Sequence, residues 1–156
     1  MLKGEFTMIT ISVSKIKLVR ESNHRYDLES KHIHGPQDAA DVINAVLDLE
    51  HEAQEVLAEI ILDNQGKVAG VMEISRGSIN ASIAHCREIY RGAILHNAAS
   101  IILAHCHPSG EIKPSNEDID VTQRVKKAGQ ILDIPLLDHI IIGHHRFTSL
   151  KEKGML

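Results

Sequence analysis

The sequence predicts an α/β protein with a single mixed β-sheet flanked by helices. Apolar, β-branched segments alternate along the chain with segments whose apolar residues recur at helical spacing. The turn signal Asn64-Gln65-Gly66 separates two of the strand-like segments and predicts a hairpin, so part of the sheet is antiparallel. The 156 residues are enough for one domain that buries a substantial core between sheet and helices.

The N-terminal part of the chain is the least patterned. Residues 16–20 alternate apolar and basic side chains, which predicts a half-exposed strand. Residues 26–34 are expected to form a further strand or an extended arm. We therefore divide the chain into an N-terminal extension with the first strands, over residues 1–30, and a single globular domain over residues 31–156.

The remaining elements follow from periodicity and turn signals. Apolar residues at helical spacing predict three helices, over residues 37–50, 84–97 and 115–132. Runs rich in Val, Leu and Ile predict strands over residues 55–63, 68–74, 79–83, 100–107, 134–143 and 146–149. Gly70 marks an expected bulge, and the tail from Glu152 is expected to fray.

The composition excludes several classes of protein. A net charge of −4 gives no overall basic surface for nucleic acid, and the absence of Trp makes base-stacking platforms scarce. Two cysteines are too few for a disulfide framework. No apolar run is long enough for a membrane span, and the first residues lack the apolar core of a signal peptide. We expect a cytoplasmic protein without membrane contact.

The stretch from His105 to Asp118 carries the strongest chemical signal. On a strand, residues i and i+2 share a face, so His105 and His107 are expected to project together and Cys106 to point away. A Pro/Gly loop then leads to a helix start that contains Ser115 and Asp118. Two imidazoles and one carboxylate at a strand end can form a three-ligand zinc site with an open fourth position.

Each part of this stretch also has a structural explanation. Ser115 and Asp118 alone match a helix capping box. With eleven histidines, a pair two residues apart also arises by chance, and a second such pair, His32 and His34, has no acidic partner at an obvious spacing. His144-His145 is expected in a surface turn. The combination of both parts at fixed spacing is what favours a metal site.

The combined pattern resembles the JAMM (MPN-plus) metalloprotease motif, H-x-H-x(7)-S-x-x-D, and is most similar to the RadC-like branch of that superfamily. The likeness extends over roughly residues 30–154. It includes flanking segments at residues 87–93, 97–99, 128–129 and 136–143. The resemblance implies a JAB/MPN fold, a three-layer arrangement similar to cytidine deaminases. Cys106 departs from the Asn often found between the two histidines of the family.

The resemblance also implies a ligand set and a mechanism. One Zn²⁺ per chain is expected on His105, His107 and Asp118, where it activates a water for hydrolysis of a peptide or isopeptide amide bond. Glu55 is the expected general base, with Glu59 and Glu52 as rivals. We favour Glu55 because a general base must lie at the strand end near the metal, whereas Glu59 lies in the middle of the strand. The Ser115 hydroxyl would stabilise the oxyanion, a role expected to compete with helix capping.

Several alternatives stay open on the sequence alone. The chain could be a DNA-associated accessory protein, as the RadC group has been labelled. The acidic net charge argues against this, and the only basic cluster worth testing for DNA binding is Arg124, Lys126 and Lys127. It could also be a non-catalytic MPN module that binds a partner. Asp138-His139 is either a buried polar pair with a structural role or a support for the ligands. The peptide or protein substrate and the oligomeric state are not predicted.

Overall fold

The structure, a computed structural model, describes residues 32–77 and 85–156 of the chain. The strands predicted over residues 16–20 and 79–83 lie outside this part, as does most of the segment 26–34. From that segment, His32 forms an isolated antiparallel bridge with Lys67. None of the helices in the described residues has the length and apolar composition needed to cross a membrane.

The described residues form one five-stranded mixed sheet with helices on its faces, which confirms the predicted fold class. The strands are β1 (Val56–Leu62), β2 (Val68–Arg76), β3 (Ser100–Cys106), β4 (Leu136–Gly143) and β5 (Arg146–Ser149). Their order in the sheet is β2-β1-β3-β4-β5. The pair β3–β4 is parallel and the other neighbouring pairs are antiparallel.

The helices are α1 (Pro36–Leu47), α2 (Cys86–Leu95) and α3 (Asn116–Leu132), with a short 3-10 helix, Leu49–His51, after α1. Alternation along the strands divides the core into two clusters, one on each face of the sheet. Ala58 and Ile60 of β1 pack in the cluster that contains α1 residues. Leu57 packs in the cluster that contains α2 and α3 residues. The result is three layers, with α1 on one face and α2 and α3 on the other.

Most predicted boundaries hold within two residues, and two differences matter. β3 ends at Cys106, so His107 follows the strand rather than closing it. The predicted fraying of the tail is wrong, because residues 150–154 form turns. In addition, the backbone N–H and the backbone carbonyl of Met155 each form a hydrogen bond. Its N–H donates to Leu150 O at 2.8 Å, and its carbonyl accepts from Gln123 Nε2 at 3.0 Å. These bonds hold the C-terminus against α3.

Candidate metal centre

The end of β3 brings the two histidines together on the α3 side of the sheet. His105 is completely buried and lies opposite Leu57 of β1. Cys106 points to the other face, where it packs in the α1 cluster, as the alternation predicts. Although His107 lies just beyond the strand, its Nε2 atom is 2.9 Å from Nε2 of His105.

The N-terminus of α3 supplies the carboxylate. Ser115 is the N-cap of the helix, and its backbone N–H donates to Asp118 Oδ2 at 2.7 Å. In return, the backbone N–H of Asp118 donates to Ser115 Oγ at 3.1 Å. The predicted capping box is therefore present, and it fixes the Asp118 carboxylate at the metal centre. Because Ser115 Oγ accepts in the cap, its own O–H remains a donor, so capping does not exclude the expected catalytic role.

The three donor groups are spaced as the ligands of a single ion. Asp118 Oδ1 lies 3.1 Å from His105 Nε2, and Asp118 Oδ2 lies 3.3 Å from His107 Nε2. Two donors that bind tetrahedral zinc at its usual bond lengths are roughly 3.3 Å apart. Two imidazoles and a carboxylate also suit a borderline ion of the zinc type. The residues therefore fit the predicted metal.

A chain of hydrogen bonds behind His105 determines which of its nitrogens faces the centre. The Thr122 hydroxyl donates to the backbone carbonyl of Asp118 at 2.6 Å, so Thr122 Oγ1 must accept from His139 Nδ1, also at 2.6 Å. His139 Nε2 is then the acceptor for His105 Nδ1–H at 2.8 Å. In the neutral ring of His105, Nε2 is then unprotonated, and its lone pair faces Asp118 and His107.

His107 is oriented in the same way by a shorter link. Its Nδ1 lies 2.7 Å from the backbone carbonyl of Glu111, which can only accept, so Nδ1 donates. The neutral ring therefore presents the lone pair of Nε2 to the centre. Both histidines have the tautomer that metal ligation through Nε2 requires.

The electrostatics of the buried groups agree with this assignment. Burial lowers the pKa of His139 well below its usual value, so the ring is neutral and can accept from His105. Without a metal ion, a proton on Nε2 of either histidine can donate to Asp118. Burial opposes ionisation of the Asp118 carboxyl, but these hydrogen bonds hold its pKa well below its usual range. The same hydrogen bond stabilises the protonated ring of His107 and raises its pKa, and a metal ion would take the place of that proton. Asp118 is therefore anionic at neutral pH, as a carboxylate ligand of a metal ion must be.

Of the three glutamates considered, the structure brings Glu55 to the centre. A carboxylate oxygen of Glu55 and one ligand atom each of His105, His107 and Asp118 all lie within 4.8 Å of one another. Glu52 is bonded to the Arg76 guanidinium instead, at 3.0 Å to Nη2.

Glu59 lies elsewhere, within β1 opposite Leu103. It is completely buried, and a side chain at Gly92 of α2 would collide with its Oε1 atom. Glu59 is therefore a core residue under α2, and the metal-ligating group does not include it.

Asp138 and His139 have separate roles although they are adjacent. His139 supports His105, which is the ligand-support interpretation left open by the sequence. Asp138 instead accepts from Ser149 Oγ at 2.6 Å and from the backbone N–H of Lys151 at 3.1 Å, so it ties β4 to the C-terminal turns. Sequence reasoning missed Thr122, whose only signal is its position four residues after Asp118 on the same helix face.

The fold and these residues together define an α/β protein with a candidate mononuclear metal site at the end of a sheet strand. A family model described as the RadC-like JAB domain matches residues 33–155. The chain belongs to this family, as its motif predicts.

Three similar proteins from clostridia carry names that state no activity. A UPF0758 protein of Clostridium kluyveri is 45% identical over 147 residues, which cover 92% of this chain and 64% of that protein. A UPF0758 protein of Clostridium perfringens is 51% identical over 118 residues, 75% of this chain and 52% of that protein. One from Clostridium beijerinckii is 44% identical over 124 residues, 80% and 53% respectively. The chain thus spans between half and two thirds of the length of these relatives.

Proposed function

We propose that the chain is a zinc-dependent hydrolase that uses water to cleave a peptide or isopeptide amide bond. One observation carries the proposal: the ligand atoms of two histidines and one aspartate converge with the Glu55 carboxylate within 4.8 Å. A purely structural metal site would close its coordination with a fourth protein ligand, whereas three ligands and an acid–base group are typical of a hydrolytic centre.

Each residue would have a distinct task in the reaction. Zinc on His105, His107 and Asp118 would supply a water of lowered pKa and an electrophile for the substrate carbonyl. Glu55 would take the proton from that water and deliver it to the leaving amine. Ser115 would donate its O–H to the carbonyl oxygen as negative charge develops there.

We also propose that the metal is zinc and that the protein works in the cytoplasm. Imidazole nitrogen favours zinc over hard ions such as magnesium, which prefer an all-oxygen shell. Cys86 and Cys106 are both free thiols, which suits a reducing compartment.

Metal analysis tests the ligand set directly. The wild type and His107→Ala are dialysed against Zn²⁺ and then against buffer. The wild type is expected to retain one zinc per chain more than the variant. Far-UV circular dichroism of both proteins shows whether the variant is folded. Equal zinc contents in two folded proteins would exclude this centre.

The catalytic role of Glu55 is tested with Glu55→Gln. This variant is expected to keep its zinc and to lose hydrolysis of a peptide library, read by mass spectrometry, by about 10²–10⁴-fold. Glu52→Gln is the matched control, because Glu52 is a nearby carboxylate that binds Arg76 instead of the centre. This variant is expected to keep full activity. Full activity in Glu55→Gln with the zinc retained would refute Glu55 as the base.

A further inference from the structure

A second group of metal-ligating side chains lies where the 3-10 helix meets the turn between β4 and β5. Glu50 comes from the helix, and His144 and His145 form the turn. One ligand atom from each lies within 4.8 Å of the others. We call these three residues the turn cluster. It shares no residue with the centre formed by His105, His107 and Asp118.

The fold holds the turn cluster in place through the backbone. His145 has φ of 53°, in the left-handed region that residues with a side chain rarely adopt. In this conformation its N–H donates to Glu50 Oε2 at 3.2 Å. The side chain of Glu50 is only 17% exposed. The carboxylate is therefore positioned beside the two imidazoles by the turn itself.

The distances within the cluster suit a shared ion better than a direct hydrogen bond. His145 Nδ1 lies 3.6 Å from Glu50 Oε2, beyond the range of a hydrogen bond. This distance is close to the roughly 3.3 Å expected between two ligands of tetrahedral zinc. The rings of His144 and His145 have centroids 4.1 Å apart, which brings a second imidazole to the same place.

A further imidazole lies near the other oxygen of the same carboxylate. His51 Nε2 is 3.9 Å from Glu50 Oε1, and its ring centroid is 5.7 Å from that of His144. Asp48 Oδ1 lies 2.6 Å from His51 Nδ1. A carboxylate in this position orients an imidazole in many metal sites, so the surroundings of the cluster add to its affinity for a cation.

We propose that Glu50, His144 and His145 bind a second divalent metal ion. Two imidazoles and one carboxylate select borderline ions such as Zn²⁺, Ni²⁺ and Cu²⁺ over Mg²⁺ and Ca²⁺. Glu50 and His145 also line a cleft of about 540 Å³, so water can complete the coordination of an ion held there. An ion at this site joins the 3-10 helix to a turn more than ninety residues later in the chain, so it stabilises the folded state.

Zinc stoichiometry tests the site without any measurement of activity. The wild type and His144→Ala/His145→Ala are titrated with Zn²⁺ alone and followed by calorimetry and metal analysis. The double variant is expected to bind one zinc fewer per chain than the wild type and to lose the zinc-dependent rise in melting temperature that this ion provides. Glu50→Gln is expected to weaken the same binding step at least tenfold.

His32→Ala/His34→Ala is the matched control, because it removes another pair of neighbouring imidazoles, stacked at 5.8 Å. It is expected to keep the wild-type stoichiometry. An unchanged stoichiometry in His144→Ala/His145→Ala, or an equal loss in the control pair, overturns the proposal. This test does not depend on the first centre. If the site at His107 binds no zinc, the wild type is expected to bind one zinc per chain and His144→Ala/His145→Ala none, so the two proteins still differ by one zinc.

Discussion

Replacing Glu59 with Leu is expected to stabilise the protein by roughly 3 kcal/mol at pH 7. Glu59 is completely buried on β1, and in the described part of the chain neither of its carboxylate oxygens has a hydrogen-bond partner. Removal of the carboxylate from water raises the pKa of Glu59 from 4.5 to about 8. At neutral pH the folded protein must therefore hold a proton that the unfolded chain has released.

The sign and size of the effect follow from this difference. Because the folded state binds the proton more tightly, stability is greatest below pH 4.5, falls as the pH rises, and becomes constant above about 8. At ~1.4 kcal/mol per pH unit, the interval from 4.5 to 7 gives a loss of about 3 kcal/mol, and the full interval gives about 5. A leucine has no proton to bind, so the variant avoids this loss.

Urea unfolding followed by far-UV circular dichroism at pH 5.5, 7 and 9 measures the effect. A chelator removes metal from all samples, and the difference between Glu59→Leu and the wild type cancels the other titrating groups. This difference should grow by roughly 3 kcal/mol from pH 5.5 to 9. Glu152→Leu, at an exposed position in the tail, is the control and should show no such trend. A difference that does not change with pH would refute the reasoning.

Three further substitutions separate support of the metal from support of the fold. Thr122→Val breaks the link between His139 and Asp118 and should lower zinc affinity about 10–100-fold in a competition titration, whereas Thr148→Val should not. Asp138→Ala removes the acceptor of Ser149 and should cost roughly 3 kcal/mol in urea unfolding with the zinc content unchanged. Gly129→Ala would place Cβ 2.5 Å from Ile134 O, so it should lower the melting temperature although Ala favours helices.

The parts of the centre that are local in sequence were predictable. His105 and His107 are two residues apart at the end of a strand, and Ser115 and Asp118 lie three apart at a helix start, so local structure largely fixes the geometry of each pair. Glu55 was harder, because only the pairing of Val56 with Cys106 brings the start of β1, which Glu55 precedes, beside the end of β3.

What the sequence could not show depends on packing between distant elements. The bond from Thr122 to His139 joins α3 to β4, and no periodicity encodes it. The Asp138-His139 interruption of an apolar strand was visible, but which of the two residues turns towards the ligands depends on the register of β4. The surface turn at His144-His145 was predicted, whereas its contact with Glu50 depends on how the 3-10 helix meets the hairpin.

The candidate centre is enclosed on one side and accessible on the other. This difference predicts which substitutions affect metal binding and which affect turnover. The side chains of His105 and Asp118 are 0% and 2% exposed, whereas His107 is 15% exposed. Glu55 is also only partly buried, so the centre is accessible from the side of Glu55 and His107. Changes on the enclosed side, such as Thr122→Val, should therefore alter metal affinity, because they move the ligands. In the proposed reaction, changes at Glu55 should alter turnover with the metal in place, because that carboxylate would meet the water and the substrate.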